Sequence, residues 1–312
     1  MKTAVVLFNL GGPDSPDAVQ PFLQNLFSDP AIINLPGWLR LPLARFISSR
    51  RAKKAMGIYA KIGGSSPILG QTEAQARALE KALGQGNTDE WRGYVCMRYW
   101  HPMTERVVQS VRRYAPDRIV LLPLYPQYST TTTGSSFKAW KEASSFTVPS
   151  SEIESYPTDP GFIAASVELV RQGLAEAGAG KTRVLFSAHG LPEKIVKGGD
   201  PYQRHVEQTA KAIADAIGDL DSTVCYQSRV GPLKWIGPPT EQEIERAGRD
   251  GANVVLYPLS FVSEHSETLV ELDMDYRQLA SEAGVAKYVR VPTVGTHPKF
   301  IDGLARLVRN AL

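Results

Sequence analysis

Short apolar runs alternate with amphipathic segments along the whole chain. Runs such as Val254 to Tyr257 end at proline or glycine, which is typical of buried strands. Between the runs, apolar residues recur every three or four positions and predict helices at Glu73 to Leu83, Met103 to Tyr114, Asp200 to Ile217 and Glu241 to Ala247. This alternation of strands and helices predicts an α/β fold with parallel, doubly wound sheets.

The two halves of the chain resemble each other in four places. The matching segments are 5–13 with 184–192, 94–102 with 224–232, 119–130 with 254–264 and the acidic segment after it, and 156–171 with 291–309. We therefore expect two similar α/β domains, residues 1–157 and 158–297, each with a mostly parallel four-stranded sheet flanked by helices. The segment 298–312 should form a helix that packs back on the first domain, and a cleft between the domains is the expected site.

An acid-rich stretch follows the predicted strand at 254–257. Ser263 should cap a helix whose first turn holds Glu264, His265 and Glu267. Four carboxylates then share one helical face: Glu264, Glu267, Glu271 and Asp275. A fully solvated face would explain such a run, but its place at a strand's carboxyl end and the added histidine nitrogen favour a divalent transition metal passing along it.

Composition narrows the class of protein. The chain has 312 residues, 43% of them hydrophobic, which is enough for ordinary globular cores. A net charge of +3 argues against a general nucleic-acid binder. Cys96 and Cys225 are the only cysteines, so neither a disulfide framework nor a cysteine metal cluster is available. With no secretory signal pattern and no apolar stretch of membrane-spanning length, we expect a cytoplasmic protein.

The segment 31–54 combines large apolar residues with basic ones. Pro36, Pro42 and two arginines break the apolar run at 31–49 and exclude a transmembrane helix. Packing in the core, the lip of a pocket and contact with a membrane surface all remain open for this run. The basic residues that follow suit lipid phosphates, ligand carboxylates or a solvated helix face: Arg50, Arg51, Lys53 and Lys54.

Candidate chemistry lies at the ends of the predicted strands. His189 follows a strand in the sequence SAHGLP, where an imidazole can act as a base or a metal ligand near neutral pH. Arg98 and Tyr99 end another strand and could bind an anion or a flat apolar ligand, or instead pack locally. Ser187 is not in a G-x-S-x-G elbow, and the loop at Gly11 lacks the dinucleotide glycine pattern, so a serine hydrolase and a nucleotide-using enzyme are disfavoured.

Several motifs, taken together and in order, resemble the ferrochelatase family, whose members insert ferrous iron into a porphyrin to make haem. They cover nearly the whole chain: Leu10-Gly-Gly-Pro, Ile62-Gly-Gly-Ser-Ser-Pro, Met97-Arg-Tyr-Trp-His-Pro, Tyr125-Pro-Gln-Tyr-Ser, Ser187-Ala-His-Gly-Leu-Pro, Gln227-Ser-Arg-Val-Gly-Pro with Trp235, and Phe261-Val-Ser-Glu-His-Ser-Glu-Thr-Leu. The resemblance implies two Rossmann-like domains with the porphyrin in the cleft.

The resemblance also implies roles for individual residues. His189 would be the catalytic base, neutral at working pH, with Glu267 as its acidic partner. The implied metal contacts are His189, Glu267, His265, Glu264 and Glu271. The implied porphyrin contacts are Leu10, Arg51, Tyr59, Ser66, Arg98, Tyr99, Trp235 and Phe261.

The substrates implied by the resemblance are a porphyrin and ferrous iron, with no permanently bound cofactor. The cysteine-rich tail of some relatives is missing, so no iron–sulfur cluster is expected. The sequence 97–100 and the apolar run resemble the branch that uses protoporphyrin; coproporphyrin III and a non-catalytic porphyrin or haem-binding protein are the alternatives. No nucleic-acid partner is expected, peripheral contact with the inner face of a membrane through 31–54 is a hypothesis, and monomer and homodimer both remain open.

Overall fold

The computed structural model describes residues 1–86, 89–229 and 233–312. Its strands are β1 (Lys2–Asn9), β2 (Glu90–Met97), β3 (Arg118–Pro123), β4 (Ser150–Glu152), β5 (Thr182–His189), β6 (Ser222–Gln227), β7 (Asn253–Pro258) and β8 (Tyr288–Arg290). Its α-helices are α1 (Val19–Ser28), α2 (Gly37–Ala60), α3 (Ile68–Gly84), α4 (Thr104–Tyr114), α5 (Ser135–Ala143), α6 (Pro160–Ala177), α7 (Glu193–Lys197), α8 (Tyr202–Ile217), α9 (Thr240–Arg249), α10 (Tyr276–Glu282) and α11 (Pro298–Asn310). The predicted α/β class is confirmed.

The first compact unit comprises Met1–Ser155 and Leu304–Leu312. Its sheet has the order β2-β1-β3-β4, and every pairing is parallel. The run Ala4 to Phe8 in the central strand β1 is fully buried, as expected for a parallel strand that is covered on both faces. Phe8 packs edge-on against Phe137 and Trp140 of α5, which anchors that helix to the sheet.

The second compact unit comprises Tyr156–Gly303. Its sheet has the order β6-β5-β7-β8, again with parallel pairings throughout. The central strand β5 ends at His189, which lies in register with Gln227 at the end of β6. On the other side Ser187 is in register with Pro258, the last residue of β7. The carboxyl ends of three neighbouring strands therefore meet at one edge of this sheet.

The two units share their strand order, and each has a π-helix after its third strand. The first π-helix is Thr130–Gly134 and the second is Glu267–Asp275. The fourth strands, β4 and β8, are only three residues long and lie just before the repeated segments at 156–171 and 291–309. Asp159 caps α6 by accepting hydrogen bonds from the backbone N–H groups of residues 161 and 162, so a helix rather than a strand occupies that repeat.

The segment 31–54 is more regular than its prolines suggest. Pro42 lies inside the 24-residue helix α2, so the helix continues through it at the cost of one backbone hydrogen bond. Large apolar side chains of this helix face solvent, with Trp38 75%, Leu41 54% and Phe46 58% exposed. Within the described residues, every helix is too short or too polar to cross a bilayer.

Candidate active site

The first functional side chain, His189, is placed by the end of strand β5. The residue after it, Gly190, donates its N–H to the carbonyl of Gln227 at 2.8 Å. A Cβ at position 190 would lie 2.8 Å from that carbonyl oxygen and 3.2 Å from the ring of Trp235, so only glycine allows this close approach. The glycine thereby holds the end of β5, and with it the imidazole, against the end of β6.

His189 forms a close pair with Glu267, the first residue of the second π-helix. Nδ1 of the imidazole lies 2.9 Å from Oε2 of the carboxylate. The histidine side chain is 42% exposed and the glutamate side chain 27% exposed, so the pair borders solvent. Because Nδ1 faces the carboxylate, the other ring nitrogen, Nε2, is left to meet a substrate.

A serine at the end of β6 links this pair to a second carboxylate. The Ser228 hydroxyl lies 2.5 Å from Oε2 of Glu271 and 3.2 Å from Oε2 of Glu267, and its backbone N–H donates to Oε1 of Glu271 at 2.9 Å. Ser228 has φ +58°, a left-handed conformation that costs free energy in a non-glycine residue. This backbone conformation places the Ser228 hydroxyl between the two carboxylates and directs the N–H at Glu271.

Spacing in the π-helix explains why Glu267 and Glu271 converge on one serine. A π-helix closes hydrogen bonds between residues five apart, so side chains four or five positions apart lie on one face. Gln227 adds a longer contact, with Nε2 3.4 Å from Oε2 of Glu267. Its side-chain amide oxygen, Oε1, accepts a hydrogen bond from the Ser187 hydroxyl at 2.7 Å. Ser187 thus supports the site by positioning an amide, which agrees with the absence of a hydrolase elbow.

The three ionisable groups of the site have shifted pKa values. Burial disfavours the imidazolium of His189, but attraction to Glu267, its hydrogen bond and the charge of Glu271 outweigh burial and raise its pKa. Burial also opposes ionisation of Glu267, yet the neighbouring His189 lowers the pKa of this carboxyl. Burial and the charge of Glu267 together raise the pKa of Glu271. The charges of Glu267 and Glu271 therefore stabilise the imidazolium that forms when His189 accepts a proton, and a neutral imidazole at working pH stays a prediction.

The surroundings of Glu267 thus lower its pKa, and those of Glu271 raise its pKa. Divergent pKa values in neighbouring titratable groups are typical of acid–base sites. Glu267 is held ionised beside the imidazole, and Glu271 is the carboxyl that more readily holds a proton. Since a serine hydroxyl can donate to one oxygen while it accepts from another, Ser228 can pass a proton between them.

His265 and Phe261 lie in the loop before the π-helix. The ring of His265 is buried, and its Nδ1 lies 3.1 Å from the carbonyl oxygen of Ser263, so Nδ1 carries the hydrogen and Nε2 keeps its lone pair. Burial lowers the pKa of His265 and keeps the ring neutral. The Phe261 ring packs on it, with the ring centroids 4.5 Å apart. A neutral imidazole of this kind is a suitable metal ligand.

The predicted α-helical face of four acids is not formed. Ser266, not Ser263, precedes the helix, which begins at Glu267, and Asp275 at its end is exposed. Glu264 lies in the preceding loop, where Oε1 accepts hydrogen bonds from Nη1 of Arg290 at 2.7 Å and from the backbone of residue 293 at 2.9 Å. The reason is that Arg290, largely buried at the end of β8, requires a counter-ion.

Among the residues implied as metal contacts, the structure therefore joins His189, Glu267 and Glu271 in one network and separates Glu264 from it. Within residues 1–86, 89–229 and 233–312, histidine, cysteine and acidic side chains form no group of three suited to hold a metal ion. Residues 230–232, which belong to the motif beginning at Gln227, lie outside the described residues.

In the first unit, Arg98 and Tyr99 bind an aspartate that sequence reasoning missed. Asp29 is buried and accepts hydrogen bonds from Nη2 of Arg98 at 2.7 Å, from the Tyr99 hydroxyl at 2.8 Å and from the Ser135 hydroxyl. Burial opposes ionisation of Asp29, but the hydrogen bonds from Ser135 and Ala31 and the charge of Arg98 lower its pKa. Tyr99 is only 1% exposed, so its ring supports a surface rather than forming one.

The remaining residues implied as porphyrin contacts differ in their surroundings. Ser66 donates its N–H to the carbonyl of Pro13 at 2.7 Å, and a Cβ at Gly12 would lie 2.6 Å from its side chain, so the Gly-Gly-Pro loop packs against it. Tyr59 is buried and Arg51 is exposed, and Leu10 and Trp235 are half-buried. The structure leaves the contact roles of all eight residues as predictions.

The sequence contained a usable signal for some of the supporting residues and none for others. Gln227 and Ser228 lie in a motif at a strand's carboxyl end in register with His189, and that position was a usable signal. Asp29 and Arg290 gave no local signal, because their partners are 69 and 26 residues away.

Comparison with known proteins covers the whole chain. A sequence model of the ferrochelatase family matches residues 2–312. The ferrochelatase of Caulobacter vibrioides is 55% identical over 314 residues, which is 100% of this chain and 90% of the relative. The ferrochelatase of Wolbachia pipientis wMel is 50% identical over 316 residues, which is 99% of each chain.

Solved structures of similar fold include two with low sequence identity. SirB from Bacillus subtilis with Fe3+ aligns with a TM-score of 0.57 and 14% identity, covering 100% of this chain and 96% of that chain. CbiX, described as the terminal enzyme of sirohaem biosynthesis in denitrifying bacteria, aligns with a TM-score of 0.53 and 18% identity, covering 100% of both chains. At these identities the likeness shows the fold alone.

Proposed function

Because this chain belongs to the ferrochelatase family, we propose that it inserts ferrous iron into protoporphyrin IX to form protohaem and releases two protons. The observation that carries the proposal is the hydrogen-bonded series His189, Glu267, Ser228 and Glu271 at the carboxyl edge of the second sheet. Metallation exchanges two pyrrole protons for Fe(II), so the enzyme needs groups that accept protons and pass them on. This series has that capacity.

Nε2 of His189 is the atom that we assign to take a pyrrole proton. In the neutral imidazole, Nδ1–H donates to Glu267 and Nε2 keeps the lone pair that accepts this proton. The raised pKa of His189 favours the imidazolium that results, and its Nδ1 proton can then be passed on. The 2.9 Å contact with Glu267 offers the first step, and the Ser228 hydroxyl offers the next. Glu271, whose pKa is raised, is suited to receive the proton. Such positioned acid–base groups typically contribute about 10²–10⁴-fold to a rate.

Glu267, Glu271 and His265 are the groups that we assign to the route by which protons leave or iron enters. Carboxylate oxygens and a neutral imidazole nitrogen are ligand types that ferrous iron accepts. Glu264 is bonded to Arg290, and we assign it to holding the loop before the π-helix rather than to the iron route.

We infer that Trp235 and Phe261 form a wall that holds the porphyrin bent out of plane and exposes its nitrogen lone pairs. Arg51, Tyr59 and Ser66 would meet the propionates, and Arg98 and Tyr99 would shape the pocket. Binding energy at the ring's rim would offset the cost of this distortion. The buried network around Asp29 supports the shaping role, because it fixes both Arg98 and Tyr99.

A peripheral membrane contact is a further part of the proposal. The exposed face of α2, with Trp38, Leu41 and Phe46 beside Arg50 and other basic side chains, suits insertion at an anionic lipid surface. We place the protein in the cytoplasm, at the inner face of the membrane. In liposome flotation, the protein should float with anionic vesicles, and replacement of Trp38 and Phe46 by serine should abolish flotation; failure of the unaltered protein to float would remove this contact.

An anaerobic assay tests the central proposal. Purified protein is mixed with protoporphyrin IX and ferrous iron, and the visible spectrum is followed. Formation of many equivalents of haem is the expected result. Binding of porphyrin without turnover would support a carrier instead, and turnover with coproporphyrin III alone would assign the other substrate branch. The His189→Ala variant should lose metallation and retain porphyrin binding; equal loss of both would contradict the base role.

A further inference from the structure

A groove unrelated to the site above lies in the first unit beside β2, the edge strand of the sheet. It has a volume of about 630 Å³ and is walled by helices α3 and α4. The strand order β2-β1-β3-β4 leaves β2 at the edge of the sheet, so the groove runs along a strand that has one sheet neighbour. This volume is within the range of pockets that hold small molecules.

Arginine dominates the charge of this groove. Four guanidinium groups line it, from Arg77, Arg92, Arg106 and Arg113, against the two carboxylates of Glu73 and Glu80. The whole chain carries a net charge of only +3, so the groove holds a large share of it. A concave surface with excess charge of one sign concentrates ligands of the opposite sign.

Most of these arginines are not neutralised locally. Arg77 lies 3.8 Å from Glu73, a weak pair in which both side chains are at least half exposed. In the part of the chain that the structure describes, Arg92, Arg106 and Arg113 have no carboxylate within 4.0 Å. Their planar guanidinium groups suit bidentate contacts with phosphate or carboxylate oxygens.

Two of these groups are held in place by uncharged partners. The guanidinium of Arg92 lies over the rings of Tyr94 and Tyr114, 5.9 Å and 5.7 Å from their centroids. Arg113 donates to the Ser110 hydroxyl at 3.1 Å. Stacking and hydrogen bonding of this kind orient an arginine without cancelling its charge, so less ordering is needed when an anion binds.

The edge of β2 is closed to an added strand. Oε1 of Glu80 accepts a hydrogen bond from the Gly93 N–H at 2.6 Å, and the Met97 N–H donates to the carbonyl of Pro102 at 2.8 Å. An extended peptide that joined the sheet would need these backbone donors.

We propose that the groove binds a small molecule that carries at least two phosphate or carboxylate groups. The arginines along its two walls would each receive one anionic group, and the rings of Tyr94 and Tyr114 would support the apolar part of the ligand. The proposal does not rest on the metal-insertion activity, because no residue that lines the groove is among those assigned to the porphyrin, the protons or the iron.

Isothermal titration with inorganic pyrophosphate and, separately, with citrate tests this site. Saturable binding with one site per chain is expected, and the tighter of the two ligands identifies phosphate or carboxylate as the preferred group. Arg92→Gln combined with Arg106→Gln should weaken that binding at least about tenfold, because the variant loses the charge-assisted hydrogen bonds that both guanidinium groups would donate to the anion. Circular dichroism confirms that the variants are folded.

Arg112 provides the matched control. It lies on the same helix α4, but its guanidinium bonds to Ser145 and stacks on Phe146 outside the groove. Arg112→Gln removes the same charge and should change the affinity less than about twofold, as expected for a distant exposed charge. Equal weakening by the control variant, or no saturable binding of either anion at millimolar concentration, would overturn the proposal.

Discussion

Replacement of Glu264 by alanine should destabilise the protein without removing the groups that handle protons. Its carboxylate is paired with Arg290 at 2.7 Å, and the two side chains are only 16% and 11% exposed. Removal of one partner of a buried ion pair typically costs about 3–5 kcal/mol. Asp273 remains 3.7 Å from the other end of the guanidinium, so we expect a loss near the lower limit, about 3 kcal/mol.

Urea denaturation and thermal unfolding measure this loss. A decrease of about 3 kcal/mol corresponds to a fall in Tm of roughly 6–12 °C for a unit of this size. The matched control is Glu264→Leu combined with Arg290→Met, which removes both charges and should recover most of the stability. Iron insertion by the folded Glu264→Ala variant should stay close to that of the unaltered protein. A variant of normal stability that has lost iron insertion would refute this reasoning and return Glu264 to the iron route.

Three further predictions concern the proton-handling groups. Glu267→Gln should lower kcat by about 10²–10⁴-fold. It should also lower the pKa of His189, because the variant lacks the negative charge that offsets the burial of the imidazolium. NMR titration of the ring measures this pKa, and an unchanged value would contradict the pairing. The His189–Glu267 pair should stabilise the fold most between pH 4.5 and 6.5. The raised pKa of the histidine gives stability that is complete below pH 6.5 and lost as pH rises, and the lowered pKa of the glutamate gives stability that is complete above pH 4.5 and lost as pH falls. The coupling free energy from a double-mutant cycle in urea should therefore be greatest in this range and smaller on either side of it. Ser228→Ala should slow metallation about 10- to 100-fold while porphyrin affinity, followed by fluorescence quenching, is unchanged; a parallel loss of affinity would indicate a structural role instead.

The sequence predicted the fold well because its strands are short, apolar and buried on both faces. Parallel pairing then places the ends of neighbouring strands at one edge, which is why His189 meets the segment that follows β7. The repeat predicted four strands in each half, and both sheets have four. These features depend on local patterns that are visible along the chain.

The details of the site depend on contacts that local patterns do not contain. Spacings of three and four residues suggested an α-helix from Glu264, but the chain forms a loop there and then a π-helix, whose period the acids fit equally well. The position of Glu264 is decided by Arg290, 26 residues away, and that of Arg98 by Asp29, 69 residues away. Pro42 indicated a break, yet the surrounding helix α2 continues through it.

In the second π-helix, Glu267–Asp275, the number of residues matters as much as their side chains. Each turn of a π-helix contains about one residue more than a turn of an α-helix, so this segment can be regarded as a helix with insertions. Deletion of one residue between Glu267 and Glu271 would tighten the turn and rotate everything after it by roughly 100°. Glu271 would then leave Ser228, although no side chain had been exchanged. A change in the number of residues here should therefore disrupt the proton-handling network even when every one of its side chains is kept.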